Sequence, residues 1–294
     1  MALHDNEFPV DDDLVNRLLG EQMPQWRDLS LRRLATSGTV NVVYRLGDDK
    51  VVRLPRAPHL TSGPQREAQW MQTFAAHLPL AIPQFLALGE PTGSYPSHWT
   101  VLEWIDGTTA SPSTLVELGD AAADLGEFVC ALRMVPTAGA PADGSYRGFG
   151  LRKADAGFRR WVKKLPADID QSAANRVWDS CLAVGDRTEP PTWFHSDLRG
   201  DNLIVRDDRL IAVIDWEGCS VGDPSADLLG AWWLFDGDSR DALRTATQAG
   251  AAEWKRAKGW ALHMAVLAIP YYADTNRAFV DQARRALEEI LADD

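Results

Sequence analysis

Two apolar runs joined by a short polar loop constrain this chain most. The first reads Trp193-Phe194-His195-Ser196-Asp197-Leu198-Arg199-Gly200-Asp201-Asn202-Leu203-Ile204-Val205. The second, Leu210-Ile211-Ala212-Val213-Ile214-Asp215-Trp216, follows an Asp207-Asp208 turn. Short apolar stretches rich in β-branched and aromatic residues, bounded by turn formers, read as buried strands. A hairpin of this kind brings Asp197, Asn202 and Asp215 to one end of a sheet, within reach of one ligand. Two carboxylates and a carboxamide oxygen are hard ligands, suited to Mg²⁺ and a phosphate. Any one of them alone is an ordinary turn-capping residue. The chemistry lies in the combination.

The rest of the chain supplies two contrasting halves. Asp11-Asp12-Asp13 ahead of Leu14, Leu18 and Leu19 predicts a capped helix closed by Pro24. Strand-like runs follow at 29–34, 41–46 and 50–54, the last two joined by a Gly47-Asp48-Asp49 hairpin turn. Pro64 opens a helical run to Leu78, with Ala68, Met71, Phe74 and Ala75 at helical spacing. Runs at 84–88 and 99–104 complete five strands. Helical periodicity then dominates, at 112–134, 154–165, 168–184, 223–235, 239–249, 251–272 and 276–291, with a Gly-, Pro- and Ala-rich loop from Pro136 to Gly150. The expected class is α+β: residues 1–103 form a five-stranded antiparallel sheet with one long helix, and residues 104–294 a mostly helical part carrying the hairpin.

Composition narrows the partners. A net charge of −12 over 294 residues argues against nucleic acid or an anionic membrane, and is compatible with a cationic small molecule. Most of it falls beyond Trp104, at −9 against −3 before it. Cys130, Cys181 and Cys219 show no metal-binding spacing and read as core thiols in a reducing cytoplasm. The acidic N-terminus has no apolar signal core, and the longest apolar run, 261–272, is too short to span a bilayer. A soluble cytoplasmic protein is expected. The aromatic residues Trp232, Trp233, Phe235, Trp254, Trp260, Tyr271 and Tyr272 recur at helical spacings and read as core.

Asp197 and Asn202 keep the spacing of the protein-kinase catalytic loop, and Asp215-Trp216-Glu217-Gly218 stands where those enzymes carry Asp-Phe-Gly. With these motifs the chain resembles the aminoglycoside phosphotransferase family, which includes macrolide and other small-molecule kinases. The resemblance implies a bilobal protein-kinase-like fold, with 1–103 as the nucleotide-binding lobe and 104–294 holding the catalytic loop and acceptor site. It implies transfer of the γ-phosphate of ATP or GTP to a hydroxyl of a small molecule, an aminoglycoside, macrolide or related antibiotic. Asp197 would orient that hydroxyl, while Asn202 and Asp215 hold Mg²⁺. His195 would brace the loop rather than act as base or metal ligand. Arg199 is a further catalytic candidate, facing either the transferring phosphate or Asp201. Asp223, a helix cap before Pro224, would also brace the catalytic loop from below. Asp227, one turn on, is either an exposed acid or part of an acidic substrate face.

On the nucleotide side, Thr36-Ser37-Gly38-Thr39-Val40-Asn41 takes the place of a phosphate-covering loop, with Ser37, Gly38 and Thr39 near the β- and γ-phosphates. Arg53 stands where kinases carry Lys, and Glu67 is its natural ion-pair partner. A guanidinium clamps phosphate too, with different reach and geometry. Main-chain groups from Glu103, Trp104 and Ile105 would meet a purine edge. Protein substrates are not expected, because Asp215 to Gly222 leaves no room for a long activation segment. Three alternatives stand beside this reading: a choline- or sugar-kinase-like metabolite kinase, a nucleotide-binding module without catalysis, and a hydrolase with a metal cluster of His195, Asp197, Asp201 and Asp215.

Overall fold

The structure, a computed structural model, describes residues 6–35, 39–60, 62–115, 117–140 and 146–293. The chain divides into two compact units, Met1–Ala76 with Ala81–Asp106 and His77–Leu80 with Gly107–Asp294.

The first unit opens with helix α1 (Asp12–Gln22), whose first turn is capped by Asp11 accepting from the Leu14 N–H at 2.8 Å. Strands β1 (Leu31–Arg33), β2 (Asn41–Leu46) and β3 (Lys50–Pro55) follow, then helix α2 (Gly63–Ala75), β4 (Phe85–Gly89) and β5 (Trp99–Glu103). The sheet is antiparallel throughout in the order β1-β2-β3-β5-β4, with a bulge between Phe85 and Ala87. Leu14, Val15, Leu18 and Leu19 of α1 share a core with Tyr44, Leu46, Val52, Leu54, Trp99 and Val101. The α1 stripe therefore covers the sheet face that these strand residues present. The register sets Arg53 opposite Val43 on one side and Thr100 on the other, fixing it mid-sheet.

The second unit holds β6 (Thr108–Thr109), α3 (Leu118–Met134), α4 (Leu151–Val162), α5 (Gln171–Ala183), β7 (Thr192–Phe194), β8 (Leu203–Arg206), β9 (Arg209–Val213), β10 (Ser220–Gly222), α6 (Gly230–Trp233), α7 (Gly237–Thr247), α8 (Ala251–Tyr271) and α9 (Arg277–Ala292). Asp207 and Asp208 both adopt positive φ, 51° and 59°, and turn β8 into β9 as a two-residue loop. Strand β6 extends this hairpin, and β10 pairs with β7. Both added strands are two or three residues long and were not legible as strands from periodicity.

One expected helix is broken. The stretch 223–235 forms a 3-10 turn over Pro224–Leu228 and only then the short α6. The break lets Gly230 press against the catalytic-loop backbone, where a Cβ would come within 2.6 Å of the Leu198 carbonyl oxygen. The loop expected over 136–150 contains a 3-10 turn, Tyr146–Phe149. Trp232, Trp233, Phe235, Trp260 and Tyr272 are buried, whereas Tyr271 is exposed. Cys181 and Cys219 are buried and all three cysteines are free thiols. No described helix is long and apolar enough to cross a membrane.

Candidate active site

The loop between β7 and β8 is built around a buried histidine. The His195 Nε2 lies 3.0 Å from the Ile214 carbonyl oxygen, and its Nδ1 accepts from the Asp197 N–H at 3.4 Å. This pair of partners selects the neutral tautomer with the proton on Nε2. Burial holds the imidazole below its ordinary value, against the opposite pull of Asp215 and Asp197. The ring stands edge-on to Trp216 at 4.9 Å. Both nitrogens are therefore committed to the protein, so His195 ties the loop to the strand before Asp215 and has no atom left for a metal. Asp201 turns toward Arg199 (2.5 Å) and accepts from Gln282 Nε2 (3.3 Å). The four-residue hydrolase cluster does not form.

Asp197 presents a quarter-exposed carboxylate. Its Oδ2 accepts from Asn202 Nδ2 at 3.0 Å and Arg199 Nε at 3.3 Å; its Oδ1 faces Arg147 Nη1 at 3.2 Å. Burial pushes this carboxyl up, but the Arg199 and Arg147 guanidinium groups outweigh it and hold the group below the usual carboxylate range. Asp197 is thus an oriented anion at neutral pH. Arg199 is fixed in turn, its guanidinium 4.5 Å over the Phe279 ring of α9 and bonded to both Asp197 and Asp201.

Asn202 and Asp215 are brought together by main chain: the Ile214 N–H donates to the Asn202 carbonyl at 2.9 Å. Because the Asn202 Nδ2 is spent on Asp197, its Oδ1 is the ligand-capable atom. Asp215 sits at φ 68°, a conformation that costs about 1–3 kcal/mol in a non-glycine residue and persists where surrounding contacts over-determine it. A carboxamide oxygen and a carboxylate suit Mg²⁺ by donor hardness, so the residues present fit that ion.

The brace under the loop is Asp227, not Asp223. Asp227 is fully buried and accepts from the His195 N–H at 2.9 Å and the Ser196 N–H at 2.7 Å. It is neither an exposed helix acid nor part of a substrate face. Burial pushes its carboxyl up to about 7, against the two amide bonds that favour the charged form. Asp223 caps the following turn by accepting from the Ser225 N–H (3.0 Å), as its position before Pro224 predicts, and forms a buried ion pair with Arg256 at 2.7 Å. The broken helix explains the exchange, because the 3-10 turn rotates the second acid inward.

In the first unit, Arg53 Nη1 and Glu67 Oε1 form a buried ion pair at 2.6 Å. Ser37 and Gly38 lie outside the described residues; Thr39 is half-buried. The main chain at 103–105 is already partly committed, since the Glu103 N–H donates to the Gln84 carbonyl and the Trp104 N–H to that of Asp49. Among the described residues, the Ile105 N–H makes no such backbone–backbone bond. The Trp104 side chain lies under Arg45 (4.1 Å) and donates to Asp106 (2.7 Å). Sequence reasoning missed Arg147, which comes from a loop 50 residues before Asp197. It also missed the contacts of Phe279 and Gln282, for which no local motif exists.

A five-stranded antiparallel sheet with two helices, followed by a helical unit bearing an acid-rich hairpin, defines a kinase-like fold. Residues 31–260 match a family described as the phosphotransferase enzyme family, APH. The chain belongs to this family and is a small-molecule phosphotransferase. A search of curated protein sequences finds no match. Among solved structures, the GDP and kanamycin complex of APH(2")-IIia shares 16% identity at a TM-score of 0.75, covering 96% of this chain and 99% of that one. ADP-bound APH(2'')-Ib gives 18%, 0.61, 95% and 98% in the same order. A thermostable mutant of APH(4)-Ia, in a ternary complex with AMP-PNP and hygromycin B, gives 18%, 0.64, 95% and 97%. At such identities these likenesses speak for the fold alone.

Proposed function

We propose that this chain transfers the γ-phosphoryl group of ATP or GTP to a hydroxyl of an antibiotic-type small molecule, an aminoglycoside, macrolide or related compound. The observation that carries the reading is the Asp197 carboxylate held by Asn202, with Asn202 joined through Ile214 to Asp215. Phosphoryl transfer asks the protein mainly for positioning and charge stabilisation. Asp197 orients the acceptor hydroxyl and receives its hydrogen bond. Asn202 Oδ1 and the Asp215 carboxylate would hold Mg²⁺, which when bound offsets phosphate charge. Arg53, kept in place by Glu67, contributes the phosphate-binding cation, and the Ile105 N–H donates to the purine. The segment 1–103 is assigned to nucleotide and 104–294 to the acceptor. Relatives solved with GDP and kanamycin, and with AMP-PNP and hygromycin B, support both the co-substrate class and the acceptor class.

A coupled assay of nucleoside diphosphate release, run with ATP and with GTP against an antibiotic panel, tests the reading. Asp197→Asn is expected to lower turnover by about 10²–10⁴ while nucleotide still binds. Full turnover in that variant would remove the role assigned to Asp197.

A further inference from the structure

Asp197 has a third partner that no motif supplies. Arg147 sits on the 3-10 turn Tyr146–Phe149, and its Nη1 donates both to the Ser196 carbonyl and to Asp197 Oδ1. That carboxylate oxygen is the one left over by Asn202 and Arg199, which both hold Oδ2. Ser196 is itself strained, at φ 80° without being glycine. Its N–H goes to the buried Asp227 and its carbonyl to Arg147, so the turn that aims Asp197 is clamped from both sides.

The platform under Arg147 has no slack. Gly148 lies against β7 and β10: a Cβ there would fall 2.7 Å from the Phe194 ring, and a Cβ on Gly222 would fall 2.6 Å from the Gly148 carbonyl oxygen. The Asp223 N–H also donates to that oxygen at 3.2 Å. Two facing glycines allow this approach, and no other residue type would. The turn therefore delivers Arg147 to the loop from a seat that cannot easily shift.

We infer that Arg147 is a positioning residue for the catalytic carboxylate: it pins Ser196 and aims Asp197 Oδ1 at the acceptor hydroxyl. The inference rests on the role proposed above for Asp197. Because one nitrogen serves both acceptors, an ammonium on a similar stem can do the same work, whereas an apolar side chain of equal length cannot. Misplacing a reacting group by about 1 Å costs on the order of 10²-fold in rate.

The test compares Arg147→Met, Arg147→Lys and Asp197→Asn in the full chain. In the protein alone, Arg147→Met should raise amide hydrogen exchange at His195 and Ser196 about tenfold, with α8 unchanged. With MgATP and the acceptor giving most turnover in the panel, or water as acceptor, Arg147→Met should lower kcat about 10²-fold with nucleotide KM unchanged. Arg147→Lys should recover at least about tenfold of that loss. Should Arg147→Met fail to fold, Arg147→Gln takes its place at every readout. Unchanged exchange and kcat without the cation would overturn the inference, as would equal losses in the Met and Lys variants. Asp197→Asn separates the two failures. If it stays active, the catalytic reading falls; if it is inactive while Arg147→Met turns over normally, only the role of Arg147 falls.

Discussion

Replacing Asp227 by Asn gives the most quantitative access to the catalytic loop. The carboxyl is fully buried and its pKa is raised from 3.8 to about 7. The folded state thus binds a proton that the unfolded chain releases over that interval. A raised folded pKa contributes stability that is fully present below the unfolded value and lost as pH rises through the folded one. Three pK units at about 1.4 kcal/mol each give ~4 kcal/mol over the whole range, of which roughly 3 kcal/mol falls between pH 8 and pH 4.5. Asparagine keeps one oxygen for the His195 or Ser196 N–H but cannot titrate. Urea unfolding of both proteins across that range, with the difference plotted against pH, isolates this group from all others. Wild type should gain about 3 kcal/mol relative to Asp227→Asn on acidification. Parallel curves would mean that Asp227 is charged at all these pH values and that the two amide bonds, not burial, dominate its environment.

Other perturbations probe different parts of the second unit. His263, buried in α8 between Trp178 and Trp260, has its pKa lowered from 6.5 to about 4 by burial, with Arg147 adding to the effect. A depressed histidine stabilises the fold above the unfolded value, so about 3 kcal/mol should be lost from pH 7 to 4, and His263→Gln should abolish that slope in the same unfolding experiment. Arg256→Leu removes the partner of the buried Asp223 carboxylate and should cost about 3–5 kcal/mol. Adding Asp223→Asn should restore part of this in chemical denaturation, because no buried charge is then left behind.

The layers of the fold were legible where local pattern and tertiary packing agree. Strand β2 runs over the residues that alternation predicts, and Asp11 caps α1 through the amide three residues on. Asp215 to Gly222 is as short in space as in sequence, because β10 returns at once to β7. Pattern failed where a segment is too short to show a period, as in β6 and β10, or where burial reverses polarity. Asp227 looked like a surface acid because a helix through 223–235 would put it there; the 3-10 turn puts it under the loop instead. Arg147 carried no signal, since its partner Asp197 is 50 residues away and the link depends on the facing glycines. Within the catalytic stretch, by contrast, the five-residue separation of Asp197 and Asn202 is short enough for loop geometry alone to join them.

The tautomer enforced on His195 makes the molecule carry its own gauge. An imidazole proton that is enclosed and bonded to the Ile214 oxygen is shielded from exchange with water, so its magnetic resonance should stand apart from those of surface histidines. Any ligand or substitution that loosens the β7–β8 loop would broaden or erase that one signal, reporting the state of the loop without a substrate in the tube.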